Sequence, residues 1–142
     1  MTGAPGAERV ELSIPASVEW LALARTTGAA IASRWSFTYD EIADLRLAID
    51  ELCLTLVEGP RAARIELVYA LEDHSLTVTG QTVGTSTSDD GSGFVIGAAG
   101  DPGLSADLSA RILDALVDEH GSEEGSGVRR AWLRKQRSSQ DA

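Results

Sequence analysis

A two-layer α+β sandwich, with a mixed β-sheet and its helices on one face, is the fold class that the sequence predicts. Three observations predict it. Val10, Leu12 and Ile14 alternate with Glu11 and Ser13 at the period of a half-buried strand. Ile42, Leu45, Ile49, Leu52 and Leu56 recur at steps of three and four, the period of an amphipathic helix. Ile65, Leu67, Tyr69 and Leu71, then Leu76 and Val78, read as two strands joined by the polar turn Glu72-Asp73-His74-Ser75. Strands and helices that segregate in this way pack as one sheet under one helical layer.

In chain order, residues 1–9 are polar and contain Gly and Pro, which predicts a flexible tail without a signal peptide. The first strand ends at Pro15. Ser17 offers an oxygen to cap a helix that runs to about Arg34, with Val18, Leu21, Ala24, Gly28, Ile31 and Trp35 turned inward. Within it, Gly28-Ala29-Ala30 permits a close neighbour. The second helix opens on a capping box, Thr38 with Glu41 three residues later, and stops at Gly59-Pro60. After the hairpin, residues 80–104 turn to Gly, Ser, Thr and Asp, the composition of a lid-like loop. A third helix is expected from Leu104 to Glu119, capped by Ser105, with Leu108, Ile112, Ala115 and Leu116 inward and Asp107 in its first turn. The turn Gly121–Gly127 then leads into a last strand, Val128 to Lys135, and residues 136–142 form a second polar tail. Residues 10–135 are thus expected to be one domain.

The chain has 142 residues and a formal net charge of −10, from 22 acidic and 12 basic side chains. Backbone phosphates need Lys and Arg to neutralise them, so nucleic acid is not an expected partner. No apolar run approaches the roughly 20 residues that span a bilayer, and no membrane partner is expected either. Cytoplasmic residence follows as the expectation. Aromatics are 5% of the chain, which leaves the core to aliphatic side chains and alanine. A single cysteine, Cys53, rules out an internal disulfide and falls in the apolar helical pattern as a small core residue. His74 in a turn and His120 at a helix end have no partner spacing that suggests metal ligation.

The stretch Asp44-Leu45-Arg46-Leu47-Ala48-Ile49-Asp50-Glu51-Leu52-Cys53 resembles the motif helix of the anti-sigma factor serine-protein kinases, small members of the histidine-kinase-like (GHKL, Bergerat-fold) ATPases. The order of elements from about Val10 to Lys135 is similar as well. In that family the helix carries Glu-x-x-x-Asn, a general base and a Mg²⁺ ligand on one helix face. The resemblance implies Glu51 as the base and Thr55, standing where the amide would be, as a substitute metal ligand. The family's adenine-binding Asp-x-Gly-x-Gly should follow the hairpin. There the chain reads Thr79-Gly80-Gln81-Thr82 and has no carboxylate. A literal match lies further on, where the resemblance implies Asp89, Gly91 and Gly93 as nucleotide contacts, with Ser105 at the entry of the next helix.

These departures lead to an expectation of weak or lost ATP and Mg²⁺ binding in a degenerate member. Such a protein would act as an anti-sigma-factor-like regulator through protein contacts. The alternative is an active Mg-ATP-dependent kinase that phosphorylates an anti-sigma antagonist on serine or threonine. Either way the resemblance implies a sigma factor and an antagonist protein as partners, and a homodimer through the first strand and helix. Two further features stand apart from the motif. Trp20 is expected on the surface. The last strand places Arg130, Trp132 and Arg134 on one face and Arg129, Ala131 and Leu133 on the other, either as a basic strip on an exposed edge or as a normal outer strand.

Overall fold

The computed structural model describes residues 7–58, 62–84 and 102–138, with the side chains of residues 7 and 102–106 left aside. Its strands are β1 (Ala7–Pro15), β2 (Ala62–Glu72), β3 (Ser75–Gly84), β4 (Glu119–Gly125) and β5 (Val128–Gln136). Its α-helices are α1 (Leu21–Arg34), α2 (Tyr39–Val57) and α3 (Pro102–Leu116). The sheet order is β1-β2-β3-β5-β4. The two-layer α+β class holds.

Every strand pair among the described residues is antiparallel, so the mixed sheet that the sequence suggested is corrected. The crossover through α3 does return the chain in the direction of β3. The β4–β5 hairpin, however, slots β5 between β3 and β4 and keeps these two parallel strands apart. No helix among the described residues is long and apolar enough to cross a membrane.

Strand alternation decides the core. Ile14, Ile65, Leu67, Tyr69, Leu71, Leu76, Val78, Ala131 and Leu133 point into the helical layer, and all are buried. Leu45, Ala48, Ile49, Leu52, Cys53 and Leu56 of α2 meet them from above, as the stripe on that helix requires. Gly28 lets α1 approach closely: a Cβ there would stand 2.2 Å from Ile49 Cδ1 and 3.4 Å from a Tyr69 ring carbon. Tyr69 then reaches the α1 backbone and donates its hydroxyl to Ala24 O at 2.8 Å. Cys53 is buried as expected, and burial, seconded by the Asp50 charge, raises its thiol from 9.0 to about 12.

Several boundaries move. Ser17 precedes a single 3₁₀ turn, Val18–Trp20, and its side chain makes no capping bond; α1 itself begins at Leu21 and leaves Val18 exposed. Residues 80–84 belong to β3 and not to a lid, because Gly80 and Thr82 continue its buried face. The rest of that loop, with Asp89, Gly91 and Gly93, lies outside the described residues, as does Gly59-Pro60. The third helix starts at Pro102, whose missing N–H no first-turn partner needs, so Ser105 is inside the helix and not its cap. Asp107 consequently falls beyond the first turn. The helix is also rotated relative to the expected phase. Leu113 and Val117 are buried, Ile112 and Leu116 half-buried, and Leu108 and Ala115 exposed.

β4 takes the place of the expected turn and of the helix end assigned to His120. Glu-His-Gly-Ser-Glu-Glu-Gly shows no apolar alternation, because this edge strand is held by backbone pairing and cross-strand charge. Glu119 pairs with Arg134 and Glu123 with Arg130, while Trp132 covers Gly121, where a Cβ would lie 2.9 Å from the indole nitrogen. Ser126 and Gly127, with φ of 54° and 78°, make the actual turn. β5 is therefore an interior strand, so its Arg-Trp-Arg face is not a sheet edge. Beyond it, Arg137 donates to Trp35 O at 2.9 Å and to His74 Nδ1 at 2.7 Å, and Ser138 N donates to Glu41 at 2.7 Å. The chain is thus held past residue 135, where the pattern had placed the end of the strand.

Candidate functional site

The site is organised by α2. Thr38 Oγ1 accepts from Glu41 N at 3.1 Å, and Glu41 accepts from Thr38 N at 2.8 Å, the reciprocal capping the sequence implied. Burial pushes the Glu41 carboxyl up, but hydrogen bonds from Thr38 and Ser138 outweigh it and leave the group below its ordinary range. With its start pinned, the helix presents adjacent acids to opposite neighbours. Asp50 turns toward α1, where Arg25 Nη1 donates to both carboxylate oxygens at 2.7 and 2.8 Å. Glu51, one residue on, is half-buried on the side of α3.

Thr55 lies one turn beyond Glu51 on that same side, so the structure does bring these two predicted site residues together. The Thr55 hydroxyl donates back to Glu51 O at 3.1 Å, and its oxygen stands 3.4 Å from Ser109 Oγ of α3. The Thr55 carbonyl, among the last four of the helix, accepts from Arg129 Nη1 at 2.8 Å. Arg129 also donates through Nη2 to Glu124 at 3.2 Å, and its backbone N–H donates to Thr82 Oγ1 at 2.9 Å. A guanidinium at this helix end satisfies a carbonyl and complements the negative pole of the helix.

Thr82 is the buried polar residue of the described core, at 2% exposure, and its bond from Arg129 N answers the cost of burying it. Beside it, a Cβ on Gly80 would come within 2.6 Å of Leu56 and 2.9 Å of Leu67, so the α2 end lies tightly on β3.

Arg129, Thr82 and Ser109 were not singled out as site residues. One signal for Arg129 was present: strand alternation puts it on the same face as Ala131 and Leu133, and a cation on an apolar face asks for a buried acceptor. Of the remaining predicted residues, Ser105 is placed in the first turn of α3, and Asp89, Gly91 and Gly93 lie outside the described residues. His120 is on β4 with its Nε2 2.7 Å from Asp114.

This arrangement sets a guanidinium beside Thr55, the residue that stands where the resemblance puts a carboxamide. A divalent ion needs oxygen donors turned toward it. Here the Thr55 hydroxyl donates to Glu51 O, which leaves its oxygen lone pairs open, and a fixed guanidinium occupies the adjoining carbonyl. At a few ångströms, like charges repel by on the order of 1–4 kcal/mol at effective dielectrics between water and a protein surface. No group of three or more His, Cys, Asp or Glu among the described residues could hold a metal ion. β3 presents no carboxylate from Ser75 to Gly84, the strand that the family's adenine-binding Asp should follow.

A five-stranded antiparallel sheet carries the helices on one face, with the motif helix α2 between α1 and α3. The crystal structure of the RsbU and RsbW domains of Rv1364c from Mycobacterium tuberculosis shares this fold, with a TM-score of 0.69 over 94% of this chain and 33% of that one, at 18% identity. In sequence the chain is similar to serine-protein kinase RsbW of Bacillus thuringiensis (strain Al Hakam), 35% identical over 74 residues, covering 50% of this chain and 46% of that protein. Serine-protein kinase RsbW of Bacillus cereus (strain B4264) is 34% identical over 82 residues, 56% of this chain and 51% of its own length. Over about half its length the chain is thus similar in sequence to the RsbW serine-protein kinases. It spans about half the length of the curated relatives it matches. No family model matches the chain.

Proposed function

We propose that this chain is an anti-sigma-type regulator that acts by binding proteins and holds Mg·ATP weakly or not at all. The observation that carries the reading is at Thr55. The residue that replaces the family's amide ligand turns its hydroxyl to its own helix, and Arg129 places a positive charge beside it. Its partners, on this reading, are a sigma factor and an antagonist protein, met in the cytoplasm and without nucleic acid or membrane. A homodimer through β1 and α1 is supported by the exposed apolar side chains Val10, Trp20 and Leu23, and by β1 standing at the sheet edge.

Titration calorimetry of the full chain with ATP, with and without Mg²⁺, tests the nucleotide claim. The expected result is a dissociation constant weaker than about 100 µM, unchanged by Mg²⁺. A constant of about 1 µM or tighter, lost in both Glu51→Ala and Asp89→Ala, restores the active-kinase reading. In that case Glu51 is the base, Thr55 the metal ligand, Asp89 the adenine contact, and Gly91, Gly93 and Ser105 line the nucleotide. The sequence match to serine-protein kinases and the half-buried Glu51 are what support this second reading.

A further inference from the structure

α2 and α3 run antiparallel. Ser109, at the middle of α3, meets Thr55 near the end of α2, and Lys135 bridges Leu116 O, at the end of α3, and Asp44, in the first half of α2. On the outward side of this pair, away from the sheet, each helix carries an unburied apolar line at seven-residue spacing. On α2 the line is Leu47 and Leu54, 57% and 37% exposed; on α3 it is Leu108, 59% exposed, and the exposed Ala115. Seven residues are two helical turns, about 10.5 Å, so both lines keep one direction along their helix axes. Two antiparallel helices with matched heptad lines form a shallow groove that a third helix can enter. Solitary exposed leucines need no explanation, but exposed apolar side chains repeated along two adjacent helices do.

Charge says what kind of helix. Asp40, Glu51 and Glu58 follow the α2 line and Arg46 falls off it, while on α3 Arg111, three residues after Leu108 and four before Ala115, is a lone cation beside that line. The α2 side of the groove thus carries three acids against the one cation of the α3 side, in a chain of net charge −10.

We propose that the outward α2–α3 groove, framed by Leu47, Leu54, Leu108 and Ala115, is a docking surface for a basic amphipathic helix of a partner protein. Leucine-type side chains of that helix sit between the two rows, and its Lys or Arg side chains face Asp40, Glu51 and Glu58. The inference rests on the protein-binding reading above and names a surface for it, separate from the β1–α1 edge assigned to self-association.

The test uses the full chain and three fluorescent peptides of about 18 residues, long enough for five helical turns. One is a leucine–lysine amphipathic helix, one a scramble of the same composition, and one a leucine–glutamate helix. Anisotropy is expected to show the first binding at least about tenfold tighter than the other two. Leu47→Ser/Leu54→Ser, and separately Leu108→Ser, are expected to weaken it about tenfold without a change in far-UV circular dichroism. Amide shifts should map to α2 and α3. The proposal is overturned if the scramble binds equally, since charge alone then explains the complex. It is equally overturned if neither variant weakens binding, if the shifts map to β1 and Trp20, or if no peptide binds. ATP calorimetry on the same sample reads the nucleotide claim independently, so the two can fail separately.

Discussion

The two flanks of α2 are built by different means. Toward α1, the helix packs Ile49 against Gly28 with Cys53 beside Tyr69, and the ion pair found there among the described residues, Arg25 with Asp50, is doubly bonded. Toward α3, the contact includes hydroxyls and backbone carbonyls: Thr55 with Ser109, Thr55 with Glu51, and Arg129 with Thr55. Apolar packing stabilises in proportion to the area removed from water, while exchanged hydrogen bonds give about 1 kcal/mol each. The first flank is therefore expected to carry more of the stability, although Leu113 of α3 joins the same core.

Truncation on the first flank is expected to have the largest effect. Ile49→Ala removes the side chain wedged between Gly28 and Tyr69 and leaves a cavity where no exposed neighbour can collapse. A loss of about 2–5 kcal/mol in urea unfolding is expected. A loss below about 1 kcal/mol would break the comparison, since it would mean that α1 is only loosely set on α2.

pH dependence should also come from the first flank. Burial first, then the Asp50 charge, lifts the Cys53 thiol from 9.0 to about 12, and burial also raises the Tyr69 phenol. The folded thiol keeps its proton at a pH where the unfolded one loses it. Its contribution is complete below about pH 9.0 and is lost as pH rises toward about 12. At 1.36 kcal/mol per pKa unit, the loss is on the order of a few kcal/mol over that window. Unfolding free energies taken between pH 7 and about 10.5 should fall, and the slope should be shallower in Cys53→Ala. An unchanged slope would assign the alkaline loss elsewhere.

The same division explains what the sequence made legible. The first flank lies in the periodicity: the stripe from Ile42 to Leu56, the Thr38–Glu41 box and the Gly28 approach were all readable, because local pattern and tertiary packing agree there. β4 was not, since an edge strand of glycine and glutamate has no apolar alternation, and its order comes from Trp132 and the arginines of β5. The phase of α3 was misjudged by one residue because Ile112 and Leu113 both suit a core. What decides between them is Ser109 facing Thr55, a contact between residues 54 positions apart. At the candidate site, the spacing of Glu51 and Thr55 was legible, but the guanidinium on the Thr55 carbonyl comes from Arg129, 74 residues further along the chain. No local pattern carries that.

A middling effect is expected at Arg129. Arg129→Met keeps most of the stem's apolar cover and deletes the bonds to Thr55 O and Glu124. The Arg129 side chain is 24% exposed and Glu124 is 47% exposed, so the Glu124 pair contributes little. The carbonyl bond accounts for most of an expected loss of about 1 kcal/mol. Hydrogen exchange sharpens this measurement, because the last turn of α2 should lose protection while the amides at Ile49 and Cys53 keep theirs. Equal loss along the whole helix would show that the two flanks are one cooperative unit.

The smallest effect is expected from Thr55→Asn, and it is the most informative about the second flank. The substitution gives up a weak hydroxyl bond at 3.1 Å to Glu51 O and introduces an amide where the alternative kinase reading puts a metal ligand. Threonine and asparagine differ little in helix propensity, so stability should move by less than about 0.5 kcal/mol. If Thr55 alone had weakened the site, the amide would restore Mg²⁺-dependent ATP binding. With the Arg129 guanidinium still fixed beside it, ATP affinity should stay within about twofold of the parent chain, and only the double variant Thr55→Asn/Arg129→Met should gain a Mg²⁺ response. A Mg²⁺-dependent gain in the single variant would show that the guanidinium yields to the ion, and that the second flank is more adaptable than its hydrogen bonds indicate.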